Sequence, residues 1–121
     1  MIDLTFEQHE APEVLFNSQF IGRDEGQNVQ DLIFQAIEKC EVDCRVTLSQ
    51  NVVLSGGSTM FKGFTERLKS EVSNIINENG NSGLSLNFKE KPCRRYMSWI
   101  GAAILASLSS FESKWITKSE Y

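Results

Sequence analysis

A short run of apolar, mostly β-branched residues, Asn51-Val52-Val53-Leu54, ends abruptly at Ser55-Gly56-Gly57-Ser58-Thr59, and apolar residues at helical spacing follow at once. No other feature of the chain constrains its folding as much. A brief apolar run bounded by turn residues is typical of a buried strand. Phe61, Phe64, Leu68, Val72, Ile75 and Ile76 then recur at intervals of three and four, which predicts one apolar face of a helix. Lys62, Glu66, Arg67, Lys69 and Glu71 fall on the opposite, solvated face. A strand feeding directly into an amphipathic helix must pair on one side and bury its stripe on the other, so the chain reads as α/β.

The flanking sequence extends this pattern. Ile2, Leu4 and Phe6 alternate with Asp3, Thr5 and Glu7, a period of two that predicts an edge strand stopped by Pro12. A strand starting at the first methionine reads as the border of an excised segment. The residues from Glu13 to Phe16 suit a short helical turn, and the polar, glycine-containing 22–28 segment a loop. Val29, Leu32, Ile33, Ala36, Ile37 and Cys40 predict a helix with one apolar stripe, and Asp43 is placed to cap a second short helix over 44–49. After the polar 77–83 loop, Leu84-Ser85-Leu86-Asn87-Phe88 alternates as a strand should. Pro92 precedes a last apolar segment in which Met97, Ile100, Ile104, Leu108 and Phe111 form a stripe, predicting a buried helix whose small residues, Gly101, Ala102, Ala103 and Ala106, allow close approach to neighbouring backbone.

The diglycine turn has a chemical use. Glycine accepts positive φ and lets a ligand reach the backbone. A helix start beyond it offers free amides and partial positive charge to phosphate or sugar oxygens, and ligands of open α/β sheets bind beyond the strand carboxyl ends. Gly56, Gly57 and Ser58 stand at that place. Strand-to-helix turns also carry glycine with no ligand, and spacing alone leaves both readings open. The Walker A pattern fails for want of a closing Gly-Lys-Ser/Thr, and the G-x-G-x-x-G pattern fails as well.

Composition removes several classes. The net charge of −4 over 121 residues gives no electrostatic reason to expect nucleic acid or an anionic membrane. The opening residues have no basic segment leading into a long apolar run, so no signal peptide is expected. The apolar stretch over 99–108 is far shorter than the roughly 20 residues of a membrane span. Three cysteines, Cys40, Cys44 and Cys93, and a single histidine, His9, suit neither a disulfide framework nor a zinc site, and read as thiols of a reducing compartment.

Several separate motifs resemble one family. Val53-Leu54-Ser55-Gly56-Gly57-Ser58-Thr59-Met60-Phe61 looks like the adenosine-binding turn of actin and the actin-related proteins. Pro12-Glu13-Val14-Leu15-Phe16 resembles the family's Pro-Glu-x-Leu-Phe, and Lys39-Cys40-Glu41-Val42-Asp43-Cys44-Arg45 its Lys-Cys-Asp-Val-Asp-x-Arg. Arg94-Arg95-Tyr96-Met97-Ser98-Trp99-Ile100-Gly101 is similar to Arg-Lys-Tyr-x-x-Trp-Ile-Gly, and Trp115-Ile116-x-Lys118-x-Glu120-Tyr121 to the pattern near the family's C-terminus. The motifs run in order along essentially the whole chain.

The resemblance implies a late portion of the two-lobed actin-like ATPase fold. Residues 1–11 would end an outer-subdomain strand. Residues 12–95 would form the inner subdomain with the nucleotide turn, and 96–121 a helical return into the other lobe. It implies that Gly56, Gly57 and Ser58 approach adenosine and phosphates, that Met60 and Phe61 line the adenine pocket, and that Arg95 takes the place of a lysine near the base. Met60 and Phe61 as ordinary helix-face core is the competing reading. The implied cofactor is ATP with a divalent metal, Mg or Ca, in an intact protein that is a slow ATPase. This chain alone is expected to bind nucleotide weakly or not at all and to be no enzyme. The family's phosphate-binding hairpins and its water- and metal-orienting residues have no counterpart here, so no catalytic residue and no metal ligand is nominated. Implied partners are actin, other actin-related subunits and actin-binding proteins, with self-association through exposed lobe faces. The implied location is the cytoplasm and cytoskeleton, the nucleus being the other compartment the family occupies. Phe61 for the usual tyrosine, Lys62 for a proline, Arg95 for a lysine and a longer 77–83 loop point to a divergent or actin-related member. Two alternatives stand beside it: a sugar kinase or heat-shock-type ATPase of the same superfamily, and an interaction module that needs no nucleotide.

Overall fold

The computed structural model describes residues 7–23, 27–81 and 83–121, with side chains left aside at 8 and 9. The strand expected from Ile2, Leu4 and Phe6 lies outside these residues. Its supposed continuation is helical: α1 spans Glu7–Glu13 and carries Pro12 in its last turn. A 3-10 turn, Ser18–Ile21, closes on Gly22 in the left-handed conformation. Then come α2 (Val29–Glu38), α3 (Val42–Ser49), β1 (Val52–Val53), a 3-10 turn (Gly57–Met60), α4 (Phe64–Glu78), β2 (Phe88–Lys89), a 3-10 turn (Arg94–Tyr96), α5 (Met97–Ala106) and a final 3-10 turn (Ser109–Lys114).

The core is built by α4 against α2 and the strand ends. Phe64, Leu68, Val72 and Ile76 are buried at steps of four, the face their spacing predicts. They meet Phe34 and Ile37 of α2 together with Phe16, Leu54 and Leu86. Phe16 and Phe64 are in tilted contact, their centroids 5.4 Å apart. On the solvent side Arg67 ties α4 to α1 through Glu13 at 3.0 Å and to Glu71 at 2.6 Å, and its guanidinium lies 5.3 Å from the Phe16 ring centroid. The hydrogen bond to Glu71 raises the Arg67 pKa above its ordinary value, with burial opposing and the Glu13 charge adding.

Several elements differ from expectation. In α2 the buried face is Gln30, Phe34 and Ile37, while Leu32 and Ala36 are exposed and Cys40 lies past the helix end. A polar residue inside the seam shifted the apparent stripe: the Gln30 amide donates to the Phe16 carbonyl at 2.8 Å. α3 starts before Asp43, with Glu41 at the cap, so Asp43 sits in the first turn. There its charge opposes the positive helix end without capping it. Arg45 donates to the Glu38 and Cys40 carbonyls at 2.6 and 3.0 Å, satisfying the end of α2. The strands are only two residues each and pair in parallel, Val52 with Phe88 and Val53 with Lys89. Leu54 is buried just beyond β1, whereas Val53 points outward.

The largest departure is α5. The segment was expected to be a buried helix; it is a helix, but none of its residues is buried, and Trp99 is 74% exposed. Its ten residues carry no charge. A helix that is apolar all round belongs inside a core, and no described element of this chain covers it. The exposed apolar surface continues through Leu108, Trp115 and Ile116. Such a surface is a site of association. Size-exclusion chromatography with light scattering is therefore expected to find oligomers at micromolar concentration, and a W99K/I104K double variant to shift the population toward monomer. A wild-type chain that stays monomeric at high concentration would count against this.

Candidate functional site

The diglycine turn sits at the carboxyl end of β1. Gly56 adopts φ 95° and ψ 156°, a region essentially confined to glycine. Its N–H donates to the Arg94 carbonyl at 2.9 Å, and its own carbonyl accepts from the Thr59 amide at 3.2 Å and the Thr59 hydroxyl at 2.8 Å. A Cβ at Gly57 would lie 3.8 Å from Nε of Arg95, so the Arg95 side chain runs across the face of this glycine. The Arg95 guanidinium is also 5.8 Å from the Tyr96 ring centroid.

The turn does not lead straight into the long helix. Gly57–Met60 forms a single 3-10 turn with no side-chain cap, Phe61 is extended, and Gly63 in the left-handed conformation starts α4 at Phe64. The amides next to the glycines are therefore those of the 3-10 turn. The first amides of any such turn lack partners within it. The dipole of α4 opens further along the chain than the sequence pattern implied.

Met60 and Phe61 are 43% and 48% exposed. Neither belongs to the core, and Phe61 is not on the α4 face, so ordinary helix-face packing does not account for them. Phe61 walls a groove of about 450 Å³ with Pro12, Glu13, Phe16, Lys62, Gly63, Phe64 and Arg67. A larger, more polar concavity of about 510 Å³ lies beyond Arg67, among Glu13, Asn28, Gln30, Asp31 and Glu71, and none of the nominated residues lines it. All six nominated residues are thus at one end of the parallel strand pair, five in one turn and Arg95 laid across it. They form an open shelf and not a closed pocket.

Residues beyond the nominated set hold the shelf. Arg94 donates from Nε to the Thr59 hydroxyl at 3.1 Å and from Nη2 to the Thr59 carbonyl at 2.9 Å, and pairs through Nη1 with Glu90 at 3.0 Å. Glu90 also accepts from the Thr65 hydroxyl at 3.0 Å. In sequence Arg94 opens the segment that resembles Arg-Lys-Tyr-x-x-Trp-Ile-Gly, but no periodicity marks it as a turn-holding residue.

A family model described as Actin matches residues 1–121. The chain belongs to the actin family. The mixed helix and strand unit is accordingly a portion of an actin-like fold. No helix among the described residues is long and apolar enough to cross a membrane. Cys40, Cys44 and Cys93 are free thiols. The described residues contain no group of three His, Cys, Asp or Glu side chains able to hold a metal. The shelf sets the exposed apolar side chains of Met60 and Phe61 beside a turn with no side-chain cap and the Arg95 guanidinium.

Proposed function

We propose that this chain contributes the adenosine-facing wall of an ATP cleft in an actin-like structural protein. The carrying observation is the pair of exposed apolar side chains, Met60 and Phe61, held outside the core beside an uncapped turn whose glycine adopts a conformation closed to other residues. The backbone of Gly56, Gly57 and Ser58 faces ribose and phosphate oxygens, Met60 and Phe61 face the base, and Arg95 flanks it. Stacking of a base on an aromatic ring is worth roughly 1–3 kcal/mol in other nucleotide sites. ATP enters with a Mg or Ca ion held through its phosphates. Phosphoryl transfer depends on positioning and charge stabilisation around the transferred group, and one wall does not supply these.

In this reading residues 12–95 are the inner subdomain and 96–121 the return into the opposite lobe. Partners are actin-type subunits and actin-binding proteins in the cytoplasmic cytoskeleton. Nucleotide state tunes assembly of the whole.

A shelf that buries one side of a ligand binds weakly, so a dissociation constant near 1 mM, about −4 kcal/mol, is expected. Titrating the isotope-labelled chain with Mg-ATP should move the amide resonances of Gly56 to Phe61 and of Arg95, and leave α3 still. Shifts confined to the groove beyond Arg67, or none at several millimolar, would overturn the proposal. Micromolar binding would show that the chain is an autonomous nucleotide module.

A further inference from the structure

Resting on the nucleotide reading above, we infer that Arg94 is the positioning residue of the glycine turn. One residue holds both ends of the turn. Its carbonyl accepts the Gly56 N–H at 2.9 Å where the turn begins, and its guanidinium grips the Thr59 carbonyl and hydroxyl at 2.9 and 3.1 Å where the turn ends. The Ser55 hydroxyl also donates to the Arg94 carbonyl, at 3.4 Å. Thr59 completes the ring by donating its hydroxyl proton to the Gly56 carbonyl at 2.8 Å while accepting from Arg94 Nε. A hydroxyl has one proton to give and two lone pairs, so both bonds are compatible.

The arrangement needs arginine. Two donors along one edge of a planar guanidinium meet two oxygens of Thr59, and the third nitrogen meets Glu90. Lysine, a point charge on a flexible stem, cannot reproduce that fork. The Arg94 side chain is only 14% exposed, so solvent competes little for these bonds. Glu90, held by Thr65 at the first turn of α4, anchors the guanidinium to the core helix. The next residue, Arg95, lies over Gly57 because the backbone of Arg94 is pinned to Gly56. Arg94 therefore shapes the shelf without touching a ligand on it.

The test compares the full wild-type chain with Arg94→Gln, Arg94→Lys, Thr59→Val and the double variant Arg94→Gln/Thr59→Val. Amide hydrogen exchange is read at Gly56 and Thr59 and, as reference, at Leu68 and Val72, and each chain is titrated with Mg-ATP. Arg94→Gln is expected to speed exchange at Gly56 and Thr59 at least tenfold with Leu68 and Val72 unchanged, and to weaken ATP about tenfold. Arg94→Lys should restore part of both effects. The double variant should be no worse than the stronger single one. Unchanged exchange at Gly56 and at position 59 in both Arg94→Gln and Thr59→Val would overturn the inference. So would equal acceleration in α4, which reports general loosening, or ATP binding that stays intact over a loosened turn. If the wild-type chain gives no ATP response while the exchange results are as expected, the clamp stands and the nucleotide reading falls.

Discussion

Leu68→Ala is expected to remove much of the chain's stability. The side chain is 0% exposed and sits in the middle of the buried face of α4. Truncating a fully buried leucine costs about 2–5 kcal/mol, part from lost transfer energy and part from the cavity left behind. Small domains hold only about 5–15 kcal/mol in total, and the unpacked α5 suggests that this chain lies toward the lower end. Urea unfolding followed by far-ultraviolet dichroism should show the midpoint falling by a third or more with an unchanged slope. A loss under about 1 kcal/mol would mean that the packing of α4 on α2 is not the core that holds the fold.

The second large effect is expected at Gly56. Alanine there would meet no atom within 4 Å, so crowding is not the obstacle. The obstacle is the backbone: φ 95° with ψ 156° costs a side-chain-bearing residue about 1–3 kcal/mol. The chain is expected to escape this strain by rotating the turn, which breaks the bond from Gly56 N–H to the Arg94 carbonyl. Gly56→Ala should therefore abolish the ATP-induced shifts at Gly57 and Ser58 while the α4 resonances stay in place. Gly22→Ala is the control, since Gly22 also has a positive φ, 70°, but closes a turn away from the shelf. Equal loss of the ATP response in both variants would show that general destabilisation, and not the shape of the turn, is responsible.

What the sequence made legible follows from how local each signal is. Phe64, Leu68, Val72 and Ile76 bury at helical spacing because α4 is long and one-sided, and that period is written in the residues. The α2 face was harder to read, because Gln30 satisfies the Phe16 carbonyl from within the apolar seam and looks like a surface residue until its partner is known. The strand lengths depended on pairing over a long separation, and of the 84–88 run only Phe88 joins the ladder, with Lys89 beyond it. Burial of α5 was expected from its composition, but none of its residues is buried, because no described element packs over it. Of the six candidate residues, Met60, Phe61 and Arg95 were nominated through the family resemblance and not through spacing, and Met60 and Phe61 were separable from core residues only by their exposure. Arg94 was visible only as the first residue of a family-like motif, and its role was not, because that role lies in two hydrogen bonds to a residue thirty-five positions away.

The parallel pairing of β1 with β2 also fixes an order of assembly. Val52 and Phe88 become neighbours only after the whole of α4 has been laid between them. Closing so long a loop for a ladder of two residues is entropically unfavourable until other contacts have shortened the effective distance. The contacts available for this are those between α2 and α4. The helical pair is therefore expected to dock before the strands pair, with residues 90–95 closing on the glycine turn late. Amide exchange at Gly56 and Thr59 is accordingly expected to be faster than at Leu68 and Val72 in α4.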